Sequence, residues 1–126
     1  MLWLAIALGG GIGSMARHYV NMALAPRALT LGFPIATFTV NLVGCFVIGA
    51  LAGLLASSRL EMTEVTRAFV FVGILGGFTT FSTFGLDTIT LARGGQATFA
   101  LVNVLGQTVL GLAAVWIGFA AAHWRS

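Results

Sequence analysis

The most unusual stretch of this sequence runs from Gly76 to Gly85 and combines two adjacent glycines with four hydroxyl residues and three phenylalanines. Such a segment disfavours a regular helix. Glycine costs up to about 1 kcal/mol per site against alanine, and serine and threonine offer the backbone competing hydrogen bonds. An interrupted helix exposes backbone carbonyls, which are suitable cation ligands. The alternative is a continuous helix whose threonine hydroxyls bond the preceding turn, and the residues alone leave both interpretations open.

The phenylalanines of this segment point to a second kind of chemistry. Phe78, Phe81 and Phe84 recur at every third position, which places them along one stripe of a helix. The common interpretation of such a stripe is packing. Aromatic rings are positive at their edges, however, so rings turned edge-on can solvate an anion. Ser82 and Thr83 would add hydroxyl donors beside them, and this combination suits an anion better than a cation.

Further polar side chains interrupt otherwise apolar stretches. Asn41 is a buried amide that either contributes to a functional site or clamps two helices together. Asn103, Gln107 and Thr108 lie on one side of a later stretch, at spacings of four and five, and are candidates to line the same path. Arg17 follows a glycine-rich run, where it either anchors at lipid headgroups or attracts anions into a vestibule.

The composition defines the elements that must position these residues. Apolar residues make up 59% of the 126 residues and charged residues only 7%, against roughly 45–50% and 25% in soluble proteins. Nine charged side chains cannot cover a water-soluble body of this size, so a bilayer must be the solvent. Crossing its core takes about 20 helical residues. The stretches without charge predict a single all-α membrane domain, 1–126, with four helices at about 2–24, 34–57, 66–92 and 97–122.

Several function classes are excluded by what the sequence lacks. The single Cys45 cannot form an internal disulfide or a multi-cysteine metal site. The arginines are scattered rather than clustered, which argues against nucleic acid as a partner. No nucleophile motif or acid–base pair is present, and Asp87 has no evident partner. The sequence therefore predicts a protein that is not an enzyme.

The arginines are balanced between the two predicted sides of the membrane. One side carries Arg59, Arg67 and Arg125, and the other carries Arg17, Arg27 and Arg93. Because an excess of basic residues sets orientation, three against three gives no preference. Either the chain adopts one orientation on weak signals, or it inserts both ways and two copies pair antiparallel, like the inverted repeats of transporters.

Small residues spaced by four favour close packing between helices. Such pairs are Gly9/Gly13, Gly49/Gly53 and Gly73/Gly77. These faces let helix backbones approach closely. Four such helices cannot enclose a pore alone while shielding polar groups from lipid, so a homodimer or a larger assembly is expected.

Together these residues resemble the small dual-topology fluoride channels, the Fluc family. The resemblance covers essentially the whole chain. It includes the four spans, the glycine-rich entry before Arg17, and Asn41 followed by Gly44 and Phe46. The most specific part is the segment 76–84, with the sequence Gly-Gly-Phe-Thr-Thr-Phe-Ser-Thr-Phe.

The resemblance implies an antiparallel homodimer with two fluoride pores, and a third helix that is broken in the middle of the membrane. It implies a structural sodium ion at the dimer centre, bound by the backbone carbonyls of Gly76 and Thr79. The fluoride pore would be formed by Asn41, Phe81 and Phe84, with Ser82 and Thr83 as a polar track. Arg17 would lie near an aqueous vestibule. A pore role for Asn103, Gln107 and Thr108 does not follow from the resemblance.

The function expected from this resemblance is passive export of cytoplasmic fluoride through the inner membrane, with a second copy of the chain, fluoride ions and membrane lipid as partners. The main alternative is a subunit of a small multidrug-type proton-coupled exporter. Such an exporter needs a carboxylate in its membrane-embedded part, usually in the first span, which here contains no Asp or Glu. A non-transporting assembly subunit is a third hypothesis.

Overall fold

The computed structural model describes residues 1–124, and this part of the chain is helical without strands. Its elements are α1 (Leu2–Leu31), α2 (Ile35–Ala56), α3 (Glu64–Arg67), a π-helical segment (Ala68–Leu75), α4 (Gly76–Phe78), α5 (Phe81–Arg93) and α6 (Ala97–His123). From α3 to α5 these pieces form one long rod with a single interruption. Arg125, which entered the charge balance, lies outside the described residues.

Three helical runs are long and apolar enough to cross a membrane: Ile35–Ala56, Glu64–Arg93 and Ala97–His123. The chain is therefore a multi-pass membrane protein. Helix α1 is 30 residues long but is not among the three. Its glycines, together with Arg17 and His18, lower its mean hydropathy. The prediction of a fourth span thus stays a prediction.

Helix α1 ends later than the sequence suggested, at Leu31 instead of near residue 24. It continues through Pro26 because alanine and leucine, both strong helix formers, dominate this part of the chain. Gly32 ends the helix in the left-handed conformation, with φ 64° and ψ 27°. Its amide donates to the carbonyl of Ala28 at 2.9 Å, as in a glycine C-terminal cap.

Glycines bring α1 into backbone contact with the rod formed by α3 to α5. A Cβ atom added at Gly9 would lie 3.0 Å from the Cα of Gly73, and one added at Gly13 would collide with the carbonyl oxygen of Ile74 and lie 2.8 Å from the amide of Phe78. The close approach predicted from the glycine pairs is confirmed here. It is confirmed as well between α2 and α6, where Gly49 and Gly53 face the backbone of α6.

The close contact at Gly13 leads us to expect that a larger residue there lowers the stability of the protein. Replacing Gly13 with alanine should destabilise the protein by about 1–3 kcal/mol or more, because the new methyl group meets backbone that cannot move aside. Gly11→Ala is the matched control, since nothing lies within 4 Å of a Cβ atom there, and alanine favours the helix. Thermal unfolding in detergent should separate the two variants. Equal midpoints would show that α1 does not pack as described.

Candidate functional site

The rod is interrupted at Thr79 and Thr80, which we call the break. Helix α4 ends at Phe78 and α5 begins at Phe81. Thr79 has φ −82° and ψ 161°, and Thr80 has φ −153° and ψ 116°, so both residues are extended. The glycine- and threonine-rich segment therefore does interrupt the helix, and the alternative of a continuous helix is wrong.

The break separates the carbonyls of residues 76–79 from their helical donors, the amides of residues 80–83, and two of those amides have identified new partners. The amide of Thr80, which in a continuous helix would bond the carbonyl of Gly76, donates to Oδ1 of Asn41 at 2.8 Å. The amide of Thr83, which would bond the carbonyl of Thr79, donates to Oγ1 of Thr80 at 3.2 Å. Thr80 is thus the N-cap of α5. The carbonyls of Gly76 and Thr79 are left to bind other donors or a cation.

Asn41, which lies in helix α2, hydrogen-bonds to the backbone of the break. Its Oδ1 accepts the amide of Thr80, while its Nδ2 donates to the carbonyl of Thr80 at 3.1 Å and to Oε1 of Gln107 at 2.6 Å. A backbone amide can only donate, so the orientation of the Asn41 side chain is determined. Both hydrogens of its amide group are in use. Asn41 thus clamps helices, and it does so at the site where the helix is broken.

The clamp continues through helix α6 and returns to α5. Gln107 donates from Nε2 to Oδ1 of Asn103 at 2.8 Å, and Asn103 donates from Nδ2 to Oγ1 of Thr88 at 3.0 Å. The hydroxyl of Thr88 donates to the carbonyl of Phe84 at 2.8 Å. We call Asn41, Gln107 and Asn103 the amide chain. Every member accepts on one side and donates on the other, so all three orientations follow from the Thr80 amide.

A cavity of about 460 Å³ opens beside the break. The candidate residues that line it are Asn41, Gly76, Thr79, Phe81, Phe84, Gln107 and Thr108. The rings of Phe81 and Phe84 lie 5.4 Å apart at an interplanar angle of 42°. The cavity thus brings aromatic rings, amide and hydroxyl donors and released carbonyls together. Rings and donors can replace the water around a small anion, and carbonyls can do so for a cation.

Other predicted residues lie next to this cavity without being part of its described lining. Asn103 is 0% exposed and supports Gln107 from behind. The hydroxyl of Thr80 donates to Oγ1 of Thr83 at 3.0 Å and lies 3.4 Å from Oγ of Ser82. Ser82 and Thr83 therefore form, with Thr80, a hydroxyl cluster at the start of α5.

Arg17 reaches the break from helix α1. Its side chain is half-buried, and Nη1 donates to the carbonyl of Thr79 at 3.1 Å. The sequence suggested a vestibule or headgroup position for this residue. The structure places its guanidinium group on one of the carbonyls that the break releases, a contact that the sequence did not indicate.

Three threonines of this site were missed in the sequence. Thr80 caps α5 and Thr88 ends the amide chain. Thr37, which is 6% exposed, provides a hydroxyl partner for Asp87. Oδ2 of the Asp87 carboxylate is buried and has no hydrogen-bond partner among the described residues. A threonine three positions before Thr83, at the start of an apolar run, was the available signal for the cap.

Known proteins match the chain over nearly its whole length. Residues 4–119 match the family described as CrcB-like protein, Camphor Resistance (CrcB). A fluoride-specific ion channel FluC from Paracoccus denitrificans is 51% identical over 116 residues, covering 92% of this chain and 90% of that protein. Proteins of the same name from Solibacter usitatus and Methylobacillus flagellatus are 48% and 46% identical, covering 94% and 90% of this chain and 95% and 88% of their own lengths.

These relatives are ion channels and not enzymes. The break, the cavity and the apolar helices are consistent with that class. On the strength of the match over residues 4–119 and of these identities, the chain belongs to the CrcB-like family of fluoride-specific ion channels.

Proposed function

We propose that this protein is a fluoride channel that exports fluoride passively from the cytoplasm through the inner membrane. The observation that carries the proposal is the pair of rings, Phe81 and Phe84, beside the amide donors of one cavity. Its relatives are named as fluoride-specific channels. Fluoride enters acidified cells as neutral HF and ionises inside, so a negative membrane potential is enough to drive it out.

Fluoride is small and strongly hydrated, so its pore must replace water with equally close donors. Phe81 and Phe84 offer ring edges, and Thr108 offers a hydroxyl group. Gln107 uses one amide hydrogen on Asn103 and keeps the second for the cavity. Asn41 contributes by orienting Gln107, because both of its own hydrogens are engaged. Ser82 and Thr83 extend the donors as a polar track.

We propose further that two copies, each with four spans, pair antiparallel and form two pores. Phe81 is 84% exposed in the single chain although it lines the cavity, and Gly76 is exposed as well. A second copy would cover this open side, whereas lipid cannot satisfy released carbonyls. The balanced arginines permit both orientations, and antiparallel pairing brings the two breaks together.

The same assembly suggests a structural sodium ion between the two breaks. The carbonyls of Gly76 and Thr79 suit it: they are oxygen donors, both have lost their helical amides, and both residues line the cavity. When bound, sodium would supply positive charge that holds the carbonyls of the two copies together. The Thr79 oxygen uses one lone pair to accept the hydrogen bond from Arg17. Because a carbonyl oxygen has two lone pairs, the second stays available to sodium.

A sodium requirement is testable by exchange of the cation. Replacing sodium with N-methylglucamine should lower the thermal unfolding midpoint of the purified protein, because the released carbonyls would lose their counter-charge. The midpoint should rise again with added sodium in a saturable manner. A matched titration with choline controls for ionic strength. Identical midpoints in both salts would contradict the sodium site and leave the fluoride pore untouched.

Fluoride efflux from liposomes that contain the purified protein tests the function itself. We expect a fluoride electrode to report rapid efflux under a potassium diffusion potential, and a chloride electrode to report little. Chloride efflux equal to that of fluoride would overturn fluoride selectivity. A proton-coupled exporter predicts proton-dependent cation flux instead, and an assembly subunit predicts no flux. No acidic residue lies in α1 to serve such an exporter.

Antiparallel pairing is tested by the location of the C-terminus. A protease-sensitive tag at the C-terminus should be cleaved from both faces of the membrane, in comparable amounts, when intact cells and inverted vesicles are compared. Cleavage from one face alone would exclude dual topology. The flux measurement would then still decide whether the chain is a channel.

A further inference from the structure

Arg17 lies on the one face of α1 that contacts the rod. Gly9, Gly13 and Arg17 are spaced by four residues, so they share that face. A Cβ atom at Gly13 would meet the carbonyl of Ile74 and the amide of Phe78. The glycines thus bring the two backbones together. Arg17, the next residue on the same face of α1, therefore lies beside the C-terminal end of α4.

The carbonyl of Thr79 needs a partner at that point. Its helical donor, the amide of Thr83, is bound to Oγ1 of Thr80. Nη1 of Arg17 lies 3.1 Å from the Thr79 oxygen and donates to it. A guanidinium group donates along fixed directions, so it also orients the oxygen that it binds.

A vestibule role requires a different environment. An arginine that draws anions from water would keep its donors free and exposed, and Arg27 in the same helix is exposed in this way. Arg17 is half-buried and has committed a donor to the backbone of another segment. Among residues 1–124, Arg59 also binds a backbone carbonyl, that of Ala122 in α6, but it does so from an exposed position.

We infer that Arg17 is a positioning residue: its guanidinium group binds the Thr79 carbonyl that the break exposes and sets the direction of that oxygen beside the cavity. The inference rests on the proposed function for its effect on fluoride flux. Its geometric part, the bond between Arg17 and Thr79, is independent of that function. Two measurements therefore test the two parts separately.

The geometric part is tested by nuclear magnetic resonance of the Thr79 carbonyl. The dipeptide Thr-Thr occurs once in the sequence, at Thr79–Thr80. Labelling threonine alone with carbonyl ¹³C and ¹⁵N therefore produces one directly bonded pair, which isolates this carbonyl. Arg17→Gln should move its resonance upfield, because a hydrogen bond deshields a carbonyl carbon, and Arg27→Gln should leave it in place. An unmoved resonance in Arg17→Gln would overturn the inference.

The functional part is tested by the salt dependence of fluoride efflux. Arg17→Gln should reduce efflux about tenfold, the effect of one lost hydrogen bond to a charged group. Because the bond is local, the ratio to the unmodified protein should stay the same when an inert salt is raised to about 1 M, where charges are screened beyond about 3 Å. Convergence of the two rates at high salt would instead indicate a vestibule charge and overturn the inference.

Arg17→Lys distinguishes charge from geometry and covers the case in which Arg17→Gln does not fold. Lysine keeps the charge but lacks the planar fork, so a positioning role predicts partial recovery of both efflux and resonance. The inference would be contradicted if Arg17→Lys restored efflux fully while its Thr79 carbonyl resonance stayed at the position found in Arg17→Gln. If the unmodified protein carries no fluoride, the proposed function fails, and the resonance still decides whether Arg17 orients Thr79.

Discussion

Replacing Asn41 with aspartate is expected to abolish fluoride efflux and to lower stability by several kcal/mol. A carboxylate keeps the bond from the amide of Thr80 but cannot donate to the carbonyl of Thr80 or to Oε1 of Gln107. Each buried acceptor left unpaired costs about 1–3 kcal/mol. The new negative charge would also lie in the cavity through which an anion must pass. Efflux and thermal unfolding measure the two effects.

The amide chain predicts a specific rearrangement in this variant. Gln107 would have to turn its amide group towards the carboxylate, and Asn103 would then have to donate where it now accepts. The bond from the Thr88 hydroxyl to the carbonyl of Phe84 would be lost. The whole chain would thus reverse its direction, and its terminal partner would change.

The matched control is Gln96→Glu, which makes the same amide-to-carboxylate change at the exposed N-cap of α6, outside the amide chain. Efflux through this variant should stay within about twofold of the unmodified protein, because no bond of the break is altered. If Asn41→Asp conducted fluoride at the normal rate while remaining folded, the amide chain would have no role in the pore. Size-exclusion chromatography establishes whether the variant is folded and of unchanged size.

Replacing Phe84 or Phe81 with isoleucine is expected to reduce fluoride efflux by about tenfold or more while the assembly remains folded. Isoleucine is also apolar and fills much of the space, but it has no positive ring edge to replace water around the ion. A tenfold change corresponds to about 1.4 kcal/mol, similar to the contribution of one aromatic contact. The fluoride electrode measures the rate directly.

Phe99→Ile provides the control for the loss of a ring. Phe99 packs edge-on against Phe33, with ring centroids 5.7 Å apart, and does not belong to the described lining of the cavity. Its replacement should affect stability more than efflux. Unchanged efflux in both Phe81→Ile and Phe84→Ile would show that these two rings serve packing, and the proposal for the pore would then need another source of anion contacts.

Several properties of this protein followed from local sequence alone. Its composition required a membrane, because nine charged side chains cannot cover a soluble body of this size. The glycine pairs predicted backbone contact, which occurs at Gly9, Gly13 and Gly73. The glycine–threonine segment predicted that the helix could break, because its residues favour other backbone conformations over the helix. Each of these properties depends on residues close together in the chain or on overall composition.

The type and the ends of the helical segments were harder to predict from local sequence. The segment from 66 to 92 looked like one apolar span, and its π-helical part at Ala68–Leu75 has no sequence signal of the same strength. Helix α1 continued to Leu31 because Gly32 provides its cap, a signal that was present in the sequence and was overlooked. Local patterns identify helices better than they identify where helices end.

The partners of the polar side chains were decided only by the tertiary structure. Arg17 and Thr79 are 62 positions apart, and Asn41 and Gln107 are 66 positions apart. Spacing along a helix places a side chain on a face, but the rotation of that helix against its neighbours determines which atom the side chain meets. The sequence could therefore identify polar residues in the membrane. Packing alone determined that Asn41 uses both of its hydrogens, and that Arg17 binds a carbonyl.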